Sequence, residues 1–533
     1  MLWYIRAPRC FVELEALWAV GAVARSKRTW LLAGIVGLAF ALRVAGLDFQ
    51  SLWRDEVDAI RFATTAWGDL LRMFVVPGQN GPLYYLALRP WLYLAGTSEY
   101  ALRLFSVLFG TLAVPLVYRL SRRLFPSPPS LALVATLLAA TSPYLVWYSQ
   151  EGKMYSLVLA LVLLSMDRYL AALERGGWQR WLLYVAFTGT AVYVHFVAAL
   201  MVPVQILAFF LMKRETRRAR WKAWLASTSL LLLPYLPLLR WQLPLALKPA
   251  DTGYQFVPLH DMLVSLLASY SLGPISGSLR WATFLFVLLL LAAGWLWRGT
   301  KSHRASLGIL ACWLCLPVLS FFLLTLVRPM YTARYLIFVL PAYLILLAAG
   351  TVAIWRRSRL AGALLLAVVV GLSFSGLWRQ SGVQVKADFR SATGYVAART
   401  SPADLLLFQI PYGRHSFDYY LSRYQEQHQP DTSDEAVTHW DTEFRLFLPL
   451  AAKSGTGSYR WADGLYTNTG MDPSAVDAAM RRLTAQSDTV WLIATEVAMW
   501  DERGLVQAWL EDNGVLADEA HFVGVSVYRY ELP

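Results

Sequence analysis

The chain has 533 residues, 57% of them hydrophobic and only 16% charged, with a mean hydropathy of +0.44. A soluble core cannot hold so many separate apolar runs of about 20 residues, so the composition reads as a polytopic α-helical membrane protein. The net charge of +13 is uneven: residues 1–379 carry 36 Lys and Arg against 14 Asp and Glu, residues 380–533 carry 12 against 21. A basic membrane part and an acidic soluble tail point to two environments and away from a nucleic-acid partner. Three cysteines exclude a disulfide framework, and Cys312 and Cys315 lie inside an apolar run, where they read as structural thiols rather than a zinc or redox pair.

Residues 1–29 are mildly amphipathic and read as a cytoplasmic surface segment. The basic residues Arg25, Lys27 and Arg28 precede the first apolar run, 30–47, which reads as an uncleaved start-transfer helix. Further runs follow at about 100–120, 130–148, 154–173, 181–195, 196–212, 223–239, 281–297, 305–327, 335–352 and 360–378, making about eleven spans. The stretch 82–95 is apolar but short and carries Arg89, so it reads as a juxtamembrane or re-entrant segment. With a cytoplasmic N-terminus and eleven spans, the Lys/Arg clusters near 25–28, 119–123, 175–180, 213–222, 298–304 and 356–359 all fall on the cytoplasmic side. Counting 82–95 as a span would put five of them outside. The expected organisation is an N-terminal segment 1–29, a membrane domain 30–379 with an outer loop 48–99, and an extracytoplasmic domain 380–533.

In that last domain, 388–400 and 505–512 read as helices, and 404–410, 489–494 and 522–530 as strands. Helices alternating with buried strands predict a small α/β domain. It has no Gly-rich phosphate loop or nucleophile elbow, so acceptor binding or support is its expected role.

The topology sends four charged or aromatic motifs to one membrane face. Ser51-Leu-Trp-Arg-Asp-Glu-Val-Asp58 packs Arg54, Asp55, Glu56 and Asp58 into five positions just after the first run. Asn80-Gly-Pro-Leu-Tyr-Tyr85 opens an aromatic segment. Tyr148-Ser-Gln-Glu-Gly-Lys-Met-Tyr155 sets an acid and a base between two spans. Arg328-Pro-Met-Tyr-Thr-Ala-Arg334-Tyr335 places two arginines at a span end. Each alone has a plainer reading as a helix flank, a snorkelling cation or an interfacial aromatic. Together they describe a pocket of carboxylates, fixed cations and rings at headgroup depth. A lipid phosphate needs Lys or Arg, more so as charge develops on its departure. An acceptor hydroxyl needs a carboxylate to take its proton.

These motifs, with Ser98-Glu-Tyr-Ala-Leu-Arg103-Leu-Phe-Ser106 and Arg334-Tyr-Leu-Ile-Phe-Val-Leu-Pro341, resemble the GT-C superfamily of glycosyltransferases. The similarity lies in the branch of protein O-mannosyltransferases and the lipid A aminoarabinose transferase, and runs from about residue 30 to 380. It implies an inverting hexosyl- or pentosyltransferase of the cytoplasmic membrane, with its site and C-terminal domain extracytoplasmic. The sugar would come from a polyprenyl-phosphate donor and pass to an acceptor glycan, lipid or protein. By resemblance Asp55 is the catalytic carboxylate, with Glu56 and Glu151 in the catalytic group. Lys153 and Arg334, with Tyr155 and Arg328, would hold the donor phosphate. Trp53, Tyr84, Tyr85, Gln150 and His195 would wall the sugar and acceptor pocket. Two departures stand out: Asn80-Gly81 replaces the usual His-Pro, and Lys153 stands where Arg is commoner. No cofactor is certain; a divalent cation, Mg or Mn, on Asp55 and Glu151 is one reading, and fixed cations alone are the other. The competing class is a transporter or lipid flippase, which would place its charges near the bilayer midplane and show repeat symmetry.

Overall fold

The computed structural model describes residues 27–76, 81–247, 254–296, 303–428 and 459–533; most of the expected N-terminal segment 1–29, and Asn80, lie outside them. Among the described residues, five helices are long and apolar enough to cross a membrane: Glu99–Leu124, Tyr155–Arg175, Arg304–Val327, Ala333–Arg357 and Arg359–Gly382. A sixth candidate is the pair Pro129–Thr141 and Pro143–Ser149, bent by 53°. Others of the eleven apolar runs form shorter or interrupted helices. The 181–195 run falls in the 17-residue helix Trp178–Val194. The 196–212 run divides into a 3-10 turn, Phe196–Leu200, and Met201–Leu211. Pro82–Ala95 is a 14-residue helix, about 21 Å long and too short to span. Its Arg89 is buried and donates to the carbonyls of Ala63 and Thr65.

Ala333–Arg357 and Tyr155–Arg175 form the centre, their apolar windows 94% and 89% buried, whereas Arg359–Gly382 is 28% buried and lies at the edge. Arg304–Val327 is also peripheral, and its thiols are not core groups: Cys312 is half-buried and Cys315 exposed.

The bend in the broken pair has a local cause. Pro143 has no N–H, and Ser142 is extended, so the carbonyls of Ala139 and Ala140 lose their helical donors. Arg43, fully buried, supplies them: Nη2 donates to Ala139 O at 3.1 Å and Nη1 to Ala140 O at 3.1 Å, while Nε reaches Ser149 Oγ at 3.2 Å. Gly110 leaves the room, since a Cβ there would stand 2.1 Å from Ser149 Oγ.

The C-terminal segment folds as a mixed sheet in the order β2-β1-β3-β5-β4. Its strands are β1 (Leu405–Phe408), β2 (Arg460–Asp463), β3 (Thr489–Ala494), β4 (Val515–Phe522) and β5 (Val525–Glu531). The first three are mutually parallel and the last two antiparallel. The alternating stretch 522–530 is thus the end of one strand and the start of the next, because Gly524 (φ +65°) turns the chain between them. Leu406, Phe408 and Ile493 join a core continuous with the membrane helices, while Leu405, Leu407 and Leu492 face a separate one.

Glu56 locks the two parts together. Arg103 grips both its oxygens at 2.8 Å and also donates to the carbonyls of Leu47, Gln50 and Ser51. Gly152 N donates to Oε1 at 2.8 Å, and Lys386 Nζ lies 2.9 Å from Oε2. Burial alone would raise the Glu56 pKa, but Arg103, Lys386 and these hydrogen bonds outweigh it and bring it from 4.5 to about 2. The stabilisation is therefore present above pH 4.5 and is lost as pH falls toward 2. Glu56→Gln leaves two buried cations uncompensated and is expected to cost about 3–5 kcal/mol. Asp58→Asn, which breaks only the partly exposed pairs to Arg54 and Arg61, should cost less than about 1 kcal/mol. Thermal unfolding of the two variants in detergent measures the difference.

Candidate functional site

The site begins where Trp53, extended (φ −92°, ψ 171°), leads into the helix Arg54–Thr64. Asp55 and Glu56 in the first turn suit the positive end of the helix dipole. Neighbours on a helix diverge by about 100°, so the two acids serve different surroundings. Glu56 turns into the Arg103 network with no exposure. Asp55 stays partly open and pairs with Arg334, Oδ2 to Nη2, at 3.5 Å. Asp58 and Arg54 pair on the outer face at 3.8 Å.

Arg334 is the hub. Its Nη1 lies 3.9 Å from Glu151 Oε1, and its guanidinium sits 4.9 Å from the Trp53 ring centre and 5.8 Å from that of Tyr155. Its Nε is buried without a hydrogen-bond partner, as is Glu151 Oε1. Burial pushes the Glu151 pKa up, against the pull of Lys386 and Arg334. Trp53, Tyr148, Glu151, Arg334 and Lys386 wall a cavity of about 330 Å³, closed on its far side by Tyr412, Ser416 and Glu496 of the C-terminal segment. Unpaired polar atoms on such a wall fit a ligand that brings both donors and acceptors.

Lys153, two residues after Glu151, is buried but is not among the cavity walls, its Nζ 5.9 Å from the Tyr85 ring centre. Burial would lower its pKa, but Tyr85, Asp55, Asp58 and Glu151 raise it, so the charge is retained. The turn that carries Glu151 and Lys153 is pressed against the Glu99–Leu124 helix, where a Cβ on Gly152 would meet Leu102 at 2.5 Å.

The other expected residues stand further back. Tyr84 and Tyr85 belong to the packed core beneath Lys153, edge-on to Phe105 and Phe62, so they support the site from behind. Gln150 points away and donates to the carbonyls of Arg43 and Ala45. His195 is buried between Tyr155 and Tyr335, ring centres 6.0 and 5.2 Å away, and neither ring nitrogen has a hydrogen-bond partner. Arg328 caps the end of the Arg304–Val327 helix and is not among the cavity walls. No group of three or more His, Cys, Asp or Glu is placed to hold a metal among the described residues. The Arg334 guanidinium pairs with both Asp55 and Glu151, the two acids that the cation reading invoked.

Gly81 explains one departure from the family pattern. It has φ +77°, and a Cβ would stand 2.7 Å from Val194 O; proline, fixed near φ −65°, cannot occupy the position. Sequence reasoning missed Lys386, Tyr412 and Glu496. Lys386 stands alone in a polar linker, and only the fold brings it beside Glu56. Glu496 carries the sole signal in the backbone, φ +45° for a non-glycine residue.

Residues 79–241 match the family described as dolichyl-phosphate-mannose-protein mannosyltransferase. No curated protein sequence matches the chain significantly. Among solved structures, ArnT from Cupriavidus metallidurans bound to undecaprenyl phosphate is similar with a TM-score of 0.54 at 14% identity, over 95% of this chain and 98% of that one. The oligosaccharyltransferase AglB from Archaeoglobus fulgidus, in complex with an inhibitory peptide and a dolichol-phosphate, is similar with a TM-score of 0.52 at 14% identity, over 94% of this chain and 74% of that one. The chain shares the fold of these proteins, the GT-C fold.

Proposed function

We propose that the chain is an inverting glycosyltransferase that moves a hexosyl or pentosyl group from a polyprenyl-phosphate donor to an acceptor hydroxyl at the outer face of the membrane. The observation that carries the reading is Arg334, a guanidinium shared by Asp55 and Glu151 on a cavity wall, with Nε left unpartnered. The undecaprenyl phosphate bound to ArnT and the dolichol-phosphate bound to AglB support the donor class. The distribution of Lys and Arg along the chain supports eleven spans and an extracytoplasmic site.

In this reading the acceptor oxygen attacks the anomeric carbon as the bond from that carbon to the phosphate oxygen breaks. Asp55 takes the hydroxyl proton. Arg334 and Lys153 neutralise the departing lipid phosphate, with Lys386 adding positive potential from the linker. When phosphate engages Arg334, the guanidinium is drawn from Asp55, which frees that carboxylate to act as base. Glu56 positions both Asp55 and the Glu151–Lys153 turn without touching substrate. Fixed cations do the work that a divalent metal would otherwise do.

Asp55→Asn should lower transfer by about 10²–10⁴-fold while undecaprenyl phosphate binding stays within about threefold. Proteoliposomes supplied with a panel of polyprenyl-phosphate sugars measure the first, and lipid titration the second; full turnover by this variant rejects the assignment. Arg334→Lys keeps the charge but loses the planar fork, and should weaken undecaprenyl phosphate binding about tenfold, an energy of about 1.4 kcal/mol.

A further inference from the structure

The sheet is wound on both faces. Strand β1 leads into the helix Gly413–His428, whose Phe417 and Tyr420 pack with Leu406 and Phe408 on one face. Strands β2 and β3 lead into Pro473–Thr484 and Leu505–Asn513, whose Val476, Met480 and Val506 pack with Leu405 and Leu407 on the other. The chain therefore leaves β1 in the opposite direction from both of its neighbours. In open α/β sheets, ligands bind in the crevices at the carboxyl ends of strands where the winding reverses. Here there are two such crevices. The one between β1 and β3 carries Tyr412, Ser416 and Glu496 and is already a wall of the cavity over Glu151 and Arg334. The one between β1 and β2 is a second cavity of about 300 Å³, lined by Tyr412, Arg414, His415, Trp461, Asp463 and Trp500.

The second crevice is built from rings and planar polar groups. Trp461 and Asp463 are two apart on the edge strand and project to one face. Arg414 covers one side of the Trp461 ring at 3.6 Å, yet the residue is 46% exposed, so its other side is open. Trp500 is held against Tyr466 in a tilted ring pair, ring centres 4.5 Å apart, and by a bond from Nε1 to Gly464 O at 3.4 Å. Burial and the nearby Arg61 lower the His415 pKa to about 4, so the ring is neutral and offers both a donor and an acceptor. Arg414 and Asp463 are opposite in charge, which does not favour a phosphate. Pro411 is the one aliphatic side chain in the lining, too little for an acyl chain. Open aromatic faces beside paired donors and acceptors match a sugar, which has an apolar C–H face and a rim of hydroxyls. Tyr412 is the wall common to both cavities; its hydroxyl donates to Glu496, and Arg54 lies over its ring at 3.6 Å.

We propose that the β1/β2 crevice is an acceptor subsite for a carbohydrate chain, which lies against Trp461 and Trp500 and passes Tyr412 to present its terminal hydroxyl to Asp55. The proposal rests on the glycosyltransferase reading for its direction, but its binding test does not. The full chain in nanodiscs is titrated with manno-, arabino- and gluco-oligosaccharides of three to six residues, following tryptophan fluorescence, with undecaprenyl phosphate titrated separately. At least one series should bind, Trp461→Ala and Asp463→Asn should each weaken it tenfold or more, and both variants should keep the wild-type melting temperature and lipid affinity. No binding by any series, binding undiminished in both variants, or displacement of the oligosaccharide by a panel of unstructured peptides overturns the subsite. Oligosaccharide binding with these losses but no binding of undecaprenyl phosphate upholds the crevice and removes the donor reading instead.

Discussion

Everything at the site depends on one buried carboxylate. Glu56 receives Arg103 from a spanning helix, Gly152 N–H from the turn between two helices, and Lys386 from the linker to the sheet. Burying a charge in this way is costly unless every lone pair is met, and here each oxygen has two donors. The result is a fixed geometry in which Asp55, one residue earlier, and Glu151, one residue before Gly152, have little freedom to drift apart. A catalytic constellation must be held to a fraction of an ångström. Three segments far apart in sequence meet at the two oxygens of Glu56, which meets that demand.

Arg43 solves a related problem deeper in the bundle. A helix broken by Pro143 exposes carbonyls where no water can satisfy them, and a buried guanidinium needs acceptors. Each defect is the other's remedy. Its Nε bond to Ser149 Oγ also anchors the helix that ends at Ser149, directly before Gln150 and Glu151. Gln150 completes the brace by holding the carbonyls of Arg43 and Ala45. The Glu151 turn is thereby fixed from two directions, by Arg43 and Gln150 on one side and by Glu56 on the other.

Parts of this arrangement were legible in the residues. Asp55, Glu151, Lys153 and Arg334 share one end of the molecule, as charge placement implied, because charged side chains gather at a membrane edge for strong and simple reasons. The strand 489–494 and the helix from 388 were readable from period and capping; Asp388 accepts from Ser391 N as an N-cap should. Glu56 was placed beside Asp55 in the same role, and helical divergence separates them. Tyr84 and Tyr85 read as pocket walls because aromatic pairs at a membrane edge look alike whether they line a cavity or support it. Lys386 and Tyr412 left no trace at all. Their importance comes from long-range packing, Gln50 meeting the backbone of Val383, Val385 and Lys386, and Tyr420 meeting Ser51 and Leu52, which no local pattern encodes.

Under the proposed function, the same docking would separate two kinds of recognition. The bundle supplies Arg334 on the cavity wall and the buried Lys153, cations suited to the phosphate of the proposed donor. The C-terminal segment supplies Tyr412, Thr495 and Glu496 from loops at strand ends and Ser416 from the helix Gly413–His428, all across the same cavity. Glu496 holds a left-handed backbone conformation that costs a non-glycine residue about 1 kcal/mol or more, in a position where its carboxylate accepts from Tyr412. Glu496 follows β3, which is central in the sheet, parallel to β1 and antiparallel to β5. Its conformation aims the Glu496 carboxylate at Tyr412, the ring that stands between the two crevices. In that reading acceptor contacts would sit at the strand ends, apart from the phosphate contacts in the bundle.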